Sequence, residues 1–208
     1  MIKFSSHASF NKPAALVLLT SEQAKAARFS SSVKSVSAAI NAALASERFE
    51  GGKGEVLPLL VGECLVVLFG VGKEKALTMA SLRVLLRRAF MFGYFKKAAD
   101  IELVPHKEDA DVIRAVIDAQ VLGTYAWKKY ITKKKDDKTV DKKTLHIVGA
   151  SKPEYLEMIK VAECANFTRD LINENADVTT AEYLEKTVRA LLKGKSGFKL
   201  EVLDRKKL

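Results

Sequence analysis

Short apolar runs of strand length alternate with longer helical patterns along most of this 208-residue chain. Such runs, bounded by turn residues, are typical of buried strands, whereas apolar residues at three- or four-residue spacing indicate helices. Pro58 makes one of the runs an edge strand, because proline cannot donate to a neighbouring strand. Strands separated by helices favour βαβ units, so we predict an α/β fold with a mainly parallel or mixed sheet and helices on both faces. Strands are predicted at 14–19, 55–60, 64–69, 100–104, 144–148 and 198–203.

The helical patterns lie between these runs, at 31–46, 74–97, 108–127, 153–173 and 179–194. Ser151 with Glu154, and Thr179 with Glu182, have the spacing of capping boxes at the start of the last two helices. The second helix is predicted to bury an inner stripe, which consists of Leu82, Leu85, Leu86, Ala89 and Gly93.

The length suits one domain and part of another. We predict an N-terminal α/β domain at 1–150, a connecting helix at 151–174, and the truncated beginning of a second domain at 175–208. This last segment holds one helix and one strand, which is too little for a core of its own. We therefore expect it to expose an apolar face made of Leu184, Val188, Leu191 and the strand at 198–203.

The apolar runs and the two cysteines bear on location. No run approaches the roughly 20 residues that a membrane-spanning helix needs, and the N-terminus lacks the pattern of a secretory signal. Cys64 and Cys164 have no metal-ligand spacing, so two buried thiols in a reducing compartment are predicted. The expected location is cytoplasmic.

The net charge of +10 raises the question of an acidic partner. Basic residues concentrate at 83–97 and in the Lys-rich run 128–143, where Lys133, Lys134 and Lys135 are the candidate nucleic-acid contacts. Aromatic residues do not interleave with these lysines as they do in stacking platforms, which favours a solvated loop.

Titratable residues do not form a recognisable catalytic or metal-binding motif. The chain lacks the His-Glu-x-x-His and Gly-x-Ser-x-Gly patterns, so no catalytic and no metal-ligating residue is assigned. His146, inside an apolar strand, is predicted to be half-buried with one hydrogen bond. His106 follows a strand end, where the active-site residues of open sheets gather, and stays a weak candidate.

Gly70, Gly72 and Lys73 join a predicted strand to a predicted helix, where backbone amides can hold phosphate. The segment lacks the further glycines and the Ser or Thr of the known phosphate loops, and Glu74 would repel an anion. A tight structural turn is the favoured interpretation. Contacts of these residues with an ADP-ribose-type ligand are the alternative.

Four segments together resemble the leucyl (cytosol) aminopeptidase family. They are the turn Phe-Glu-Gly-Gly-Lys-Gly-Glu at 49–55, the strand end Leu-Phe-Gly-Val-Gly-Lys at 68–73, the Gly-Thr-Tyr-Ala-Trp-Lys-Lys-Tyr segment at 123–130, and the junction at 165–184. The resemblance implies a macro-domain-like N-terminal domain and a cytosolic homo-oligomer, usually a hexamer. It also implies a C-terminal domain with two divalent metals, Zn or Mn, that releases N-terminal residues from peptides. The family's usual Pro after Asn-Thr is missing at 173–176.

The leading hypothesis is therefore a non-catalytic N-terminal region of a leucyl-aminopeptidase-like metallopeptidase. Its role would be to pack against its own catalytic domain and to support oligomer assembly. A nucleic-acid-binding module, or one that binds an ADP-ribose-type ligand, is the alternative.

Overall fold

A computed structural model describes residues 1–132 and 143–203. The strands are β1 (Ile2–Ser5), β2 (Ala14–Thr20), β3 (Val56–Val61), β4 (Cys64–Gly72), β5 (Asp100–Val104) and β6 (Thr144–Val148). The helices are α1 (Ser21–Ala26), α2 (Lys34–Ala45), α3 (Met79–Phe90), α4 (Ala110–Val121), α5 (Pro153–Asn173) and α6 (Ala181–Leu192).

All six strands form one sheet in the order β1-β6-β5-β2-β4-β3. Every neighbouring pair is parallel except β3 with β4, which is antiparallel at the edge that Pro58 predicted. The predicted α/β class with a mainly parallel sheet is thus confirmed. Strand β1 was not predicted, because the only signal of this four-residue edge strand is the alternation of Ile2 and Phe4 with polar residues.

The core occupies both faces of the sheet, as predicted. Strand β2 is buried at all seven positions because it lies between β4 and β5 and is covered on both sides. Leu16 and Leu18 belong to the cluster shared with α3, α4 and α5, whereas Val17 and Leu19 belong to the cluster shared with α1 and α2. Alternate side chains of one strand therefore hold the two helical layers together.

The helix predicted at 74–97 is too long, because the α-helix in this range covers only Met79–Phe90. Its middle forms α3, and single 3₁₀ turns occupy Glu74–Ala76 and Gly93–Phe95. The Thr78 hydroxyl accepts a hydrogen bond from the Ser81 amide and fixes the start of α3 at Met79. Four residues of the predicted stripe are buried, namely Leu82, Leu85, Leu86 and Ala89, but Gly93 is exposed and lies outside α3.

Three other helices also differ at their ends. The amide of Ser31 donates to the Ser37 hydroxyl, so α2 begins at Lys34 rather than at residue 31. Helix α4 ends at Val121 rather than 127. The cap of α6 is Thr180, which accepts from the Tyr183 amide, instead of the predicted Thr179.

The chain divides into two compact units, Met1–Asn166 and Phe167–Leu208. The domain limits given above stay a prediction. The strand predicted at 198–203 is wrong, because these residues have no regular structure. The expected exposure of this segment is confirmed: Leu184, Val188 and Leu191 are all partly exposed to solvent, as are Phe198 and Leu203.

Candidate functional site

The predicted ligand contacts Gly70, Gly72 and Lys73 lie at the carboxyl end of β4. In a parallel sheet this edge is where ligands usually bind. Lys133, Lys134 and Lys135 lie outside the described residues. The prediction for these six residues stays untested, but the surroundings of the first three are well defined.

The turn at 50–55 packs directly against Gly70 and Gly72. Gly54 donates its amide to the Gly70 carbonyl oxygen at 2.8 Å, and Gly70 donates to the Glu55 carbonyl oxygen at 2.8 Å. Gly72 donates to the Gly51 carbonyl oxygen at 3.0 Å. Two glycine-rich motifs that are separate in the sequence therefore form one hydrogen-bonded unit. The amides of Gly70 and Gly72 are already used within it.

This unit leaves no room for a side chain at its centre. A Cβ atom at Gly70 would lie 2.0 Å from the Gly52 carbonyl oxygen, and one at Gly51 would lie 2.5 Å from the Thr20 carbonyl oxygen. Gly51 and Gly72 also have φ angles of +70° and +86°, which side chains disfavour. Glycine is required here by the close contact of two backbone segments.

Acidic groups surround the same strand end. The Glu22 carboxylate accepts a hydrogen bond from the Glu74 amide at 3.2 Å, and Lys107 pairs with the Glu74 carboxylate at 3.3 Å. Backbone hydrogen bonds, first to its own amide and then to that of Glu74, lower the pKa of Glu22. The Glu74 amide, which a phosphate at this strand end would use, is thus already bonded to a carboxylate. The geometry agrees with a structural turn.

His106 lies just beyond the carboxyl end of β5 and is buried, with 7% of its surface exposed. Its backbone carbonyl accepts from the Gln23 side chain at 2.7 Å. Within the described part of the chain, neither ring nitrogen has a hydrogen-bond partner. Burial, together with the nearby charge of Lys107, lowers its pKa, although Glu74 and Asp109 act in the opposite direction.

We expect this histidine to make stability depend on pH. Its folded-state pKa is below the ordinary value of 6.5, so the unfolded chain binds a proton more readily. The free energy of unfolding should therefore fall as pH decreases below 6.5, by at most about 1.4 kcal/mol per pH unit from this one group. Urea unfolding of His106→Gln between pH 7 and 5 should show a smaller decrease than the unmodified chain. The matched control is His7→Gln, because His7 is exposed. If the free energy of unfolding changed with pH equally in all three proteins, His106 would not be the source of the pH dependence.

Glu102, which the sequence analysis missed, is a buried carboxylate in the middle of β5. It accepts hydrogen bonds from the amide and hydroxyl of Ser9, at 3.0 and 3.1 Å, and from the Phe10 amide at 2.7 Å. These bonds hold the segment that joins β1 to β2. The only signal in the sequence was a single acid between Ile101 and Leu103.

The other titratable candidates are His146, Cys64 and Cys164, and their contacts and burial explain their behaviour. His146 is half-buried and bonds Asp100 at 2.7 Å, as predicted. Cys64 is buried, and burial, with a smaller effect of the Glu102 charge, raises its pKa to about 11. A protonated thiol is a poor nucleophile. Cys164 is exposed, so the prediction of two buried thiols is wrong for it, because it lies on an exposed stretch of α5.

Part of the basic surface is engaged within the fold. Arg83 forms an ion pair with Asp118, and Arg87 donates to the Gly123 carbonyl oxygen at 3.0 Å. These contacts join α3 to α4 and its C-terminal turn. Over residues 1–132 and 143–203, no three His, Cys, Asp or Glu side chains converge as metal ligands would. In the same ranges, no helix is both long and apolar enough to cross a membrane.

Comparison with known proteins identifies the family. The profile described as "Cytosol aminopeptidase family, N-terminal domain" matches residues 16–134. The chain belongs to the cytosol aminopeptidase family. The matched range includes both glycine-rich motifs of the Gly70 turn and most of the sheet.

Bacterial members of the cytosol aminopeptidase family align over most of the chain. The probable cytosol aminopeptidase of Sulfurihydrogenibium sp. is 27% identical over 76% of this chain and 33% of its own length. That of Protochlamydia amoebophila is 30% identical, over 77% of this chain and 34% of its own. The probable cytosol aminopeptidase of Stutzerimonas stutzeri is 28% identical over 98% of this chain and 44% of its own length. The chain thus spans between a third and a half of these relatives.

Two solved structures share the fold of this chain. A mutant of tomato leucine aminopeptidase matches 92% of this chain and 41% of its own, with a TM-score of 0.63 and 20% identity. The bottromycin maturation enzyme BotP matches 87% of this chain and 37% of its own, with a TM-score of 0.61 and 19% identity. At these identities the likeness concerns the fold alone.

Proposed function

We propose that this chain is a non-catalytic, macro-domain-like N-terminal domain of a cytosol aminopeptidase, which packs against the catalytic region and supports assembly of a cytoplasmic homo-oligomer. The observation that carries the proposal is the family match at 16–134, within a chain that spans about a third of several relatives. The hydrogen-bonded turn around Gly70 agrees with a supporting role, because its polar groups are directed to each other.

The chemistry of the whole protein is proposed from its relatives. Those relatives are probable cytosol aminopeptidases, and BotP has been solved in complex with Mn. A divalent metal would polarise the peptide carbonyl and activate water for removal of the N-terminal residue. The described residues of this chain do not fit such a metal, because no group of ligands converges in them. We therefore assign the metals to the part of the relatives beyond the matched third.

An exposed apolar surface supports the packing role. In the unit Phe167–Leu208, large apolar side chains remain exposed, among them Phe198 at 68% and Ile172 at 76%. Covering such side chains with another surface would be favourable, by roughly 25 cal/mol per Å² of apolar surface removed from water. In the proposed assembly, the catalytic region or a second subunit would cover these residues.

A chimera tests the packing role. The N-terminal third of the Protochlamydia amoebophila relative would be replaced by this chain and compared with the same relative lacking that third. We expect the chimera to form the parent's oligomer, measured by light scattering, and to hydrolyse leucine amide with Mn²⁺, because the domain supplies the missing contacts. A chimera as unassembled and inactive as the deletion would contradict the proposal.

Nucleic-acid binding is the second candidate, and the net charge of +10 favours it. Arg83 is already paired with Asp118, so the unpaired positive charge of this region is smaller than the sequence suggests, and Arg87 is held by its hydrogen bond to the Gly123 carbonyl oxygen.

A further inference from the structure

The segment 105–109, which joins β5 to α4, is connected to α1 at the carboxyl edge of the sheet. The Gln23 side-chain nitrogen donates to the His106 carbonyl oxygen at 2.7 Å. The Gln23 side-chain oxygen accepts from the Thr20 amide at 3.0 Å, which fixes this side chain at the start of α1. Thr20 ends β2, and β2 and β5 are the two central strands. One glutamine side chain therefore connects the ends of both.

The segment 105–109 carries three charged side chains besides His106. Lys107 pairs with the Glu74 carboxylate at 3.3 Å and approaches the Asp109 carboxylate at 4.0 Å. Glu108 accepts from a backbone amide that follows β6, at 2.8 Å. The segment is thus held by polar contacts, and these contacts involve charges that respond to pH.

Two neighbouring segments contribute further charges. Glu74 lies on the 3₁₀ turn after β4, and Glu22 on α1 accepts from the Glu74 amide, with Lys73 close to Glu22. The charge of Lys107 opposes protonation of the His106 imidazole, whereas the carboxylates of Glu74 and Asp109 favour it. An imidazolium at this edge would therefore find acidic partners outside its buried position.

The buried position of the His106 ring does not suit a positive charge. The residue is 7% exposed, and in the described part of the chain neither ring nitrogen has a hydrogen-bond partner. A neutral imidazole has one donor, whereas an imidazolium has two donors and a full charge. Burial of such a group without partners is unfavourable. The closed arrangement is thus compatible with the neutral ring only.

We propose that His106 and Gln23 form a pH-sensitive switch at the carboxyl edge of the sheet. When the imidazole gains a proton, the ring leaves its buried position, the segment 105–109 moves, and the Gln23 bond to the His106 carbonyl oxygen breaks. Because both ring nitrogens are buried, the ring reaches water only if its segment moves. The imidazolium then pairs with the Glu74 or Asp109 carboxylate. The opening is local and leaves the rest of the sheet folded.

The open form should gain population as the pH falls below 6.5. Burial lowers the pKa of His106 in the closed form, whereas an exposed ring gains its proton at the ordinary value of 6.5. Only the open form therefore binds a proton between that value and the lowered one. Linkage limits the rise in the ratio of open to closed form to about tenfold for each pH unit. Above pH 6.5 the closed form is independent of pH.

NMR titration of the whole chain between pH 7 and 5 tests the proposal. The ring carbon between the two nitrogens of His106 reports protonation, and the Gln23 side-chain amide reports the contact. We expect both signals to move with the same midpoint. Asn41 on α2 is the matched control, because its side-chain amide also donates to a backbone carbonyl, that of Phe29 at 2.9 Å, and should keep its position.

The outcomes separate a local switch from its alternatives. Protonation of His106 with a fixed Gln23 signal would overturn the proposal, because the charge would then be accepted without movement. A ring that stays neutral down to pH 5 would overturn it too. Joint movement of the Gln23 and Asn41 signals would mean unfolding of the whole domain instead of a local opening.

The variant His106→Gln assigns the effect to this residue. The Gln23 signal should no longer change between pH 7 and 5, because the titrating group is gone. An unchanged pH dependence in the folded variant would assign the movement to another group and contradict the proposal. If the variant does not fold, the comparison of Gln23 with Asn41 in the unmodified chain still decides.

Discussion

Gly70→Ala is expected to destabilise the domain by about 3–5 kcal/mol, a large part of the 5–15 kcal/mol that typically separates folded from unfolded proteins. The new Cβ would lie 2.0 Å from the Gly52 carbonyl oxygen, which is backbone and cannot move aside as a flexible side chain would. Relief requires the turn at 50–55 to shift, and its hydrogen bonds with Gly70 and Gly72 would weaken together.

Gly93→Ala is the matched control for this prediction. A Cβ at Gly93 meets no atom within 4 Å, and its φ angle is not positive, so we expect a change within about 0.5 kcal/mol. Urea unfolding gives both values from the midpoints, provided that the slope m is unchanged. Equal midpoints for the two variants would show that the Gly70 contact does not constrain the fold.

The central part of the fold was predictable from the sequence for a physical reason. Strand β2 and the heart of β4 are buried on both faces, so their residues form uninterrupted apolar runs that only a covered sheet can accommodate. Pro58 identified the edge strand correctly because its missing donor excludes a central position. Strand β1 has neither an uninterrupted apolar run nor a proline, and four alternating residues at an edge resemble a loop in the sequence.

Errors arose where local hydrogen bonds or distant partners decide the structure. One continuous helix was predicted at 74–97, but hydrogen bonds between Thr78 and Ser81 start a new helix in the middle of this range. The burial of Glu102 depends on Ser9 and Phe10, over ninety positions away, and periodicity contains no information about such partners.

The candidate site was predictable only in part. The sequence identified both glycine motifs and favoured a structural turn over a phosphate loop, partly because of Glu74. It could not place residues 50–55 beside Gly70, because that contact depends on the antiparallel pairing of β3 with β4.

The second large effect concerns catalysis. If the chemistry of the family lies beyond the matched third, this chain by itself should not hydrolyse peptides, whereas a complete relative should. Enzymes accelerate such reactions by at least about a millionfold, so the two outcomes are well separated. The full-length Protochlamydia amoebophila relative, assayed with the same metals, is the positive control.

Release of leucine from leucine amide by the purified 208-residue chain, with Mn²⁺ or Zn²⁺ present, is the most direct measurement. The proposed supporting role predicts a rate equal to that of buffer and metal alone. Metal-dependent turnover that co-elutes with the chain and disappears when urea unfolds it would contradict that role.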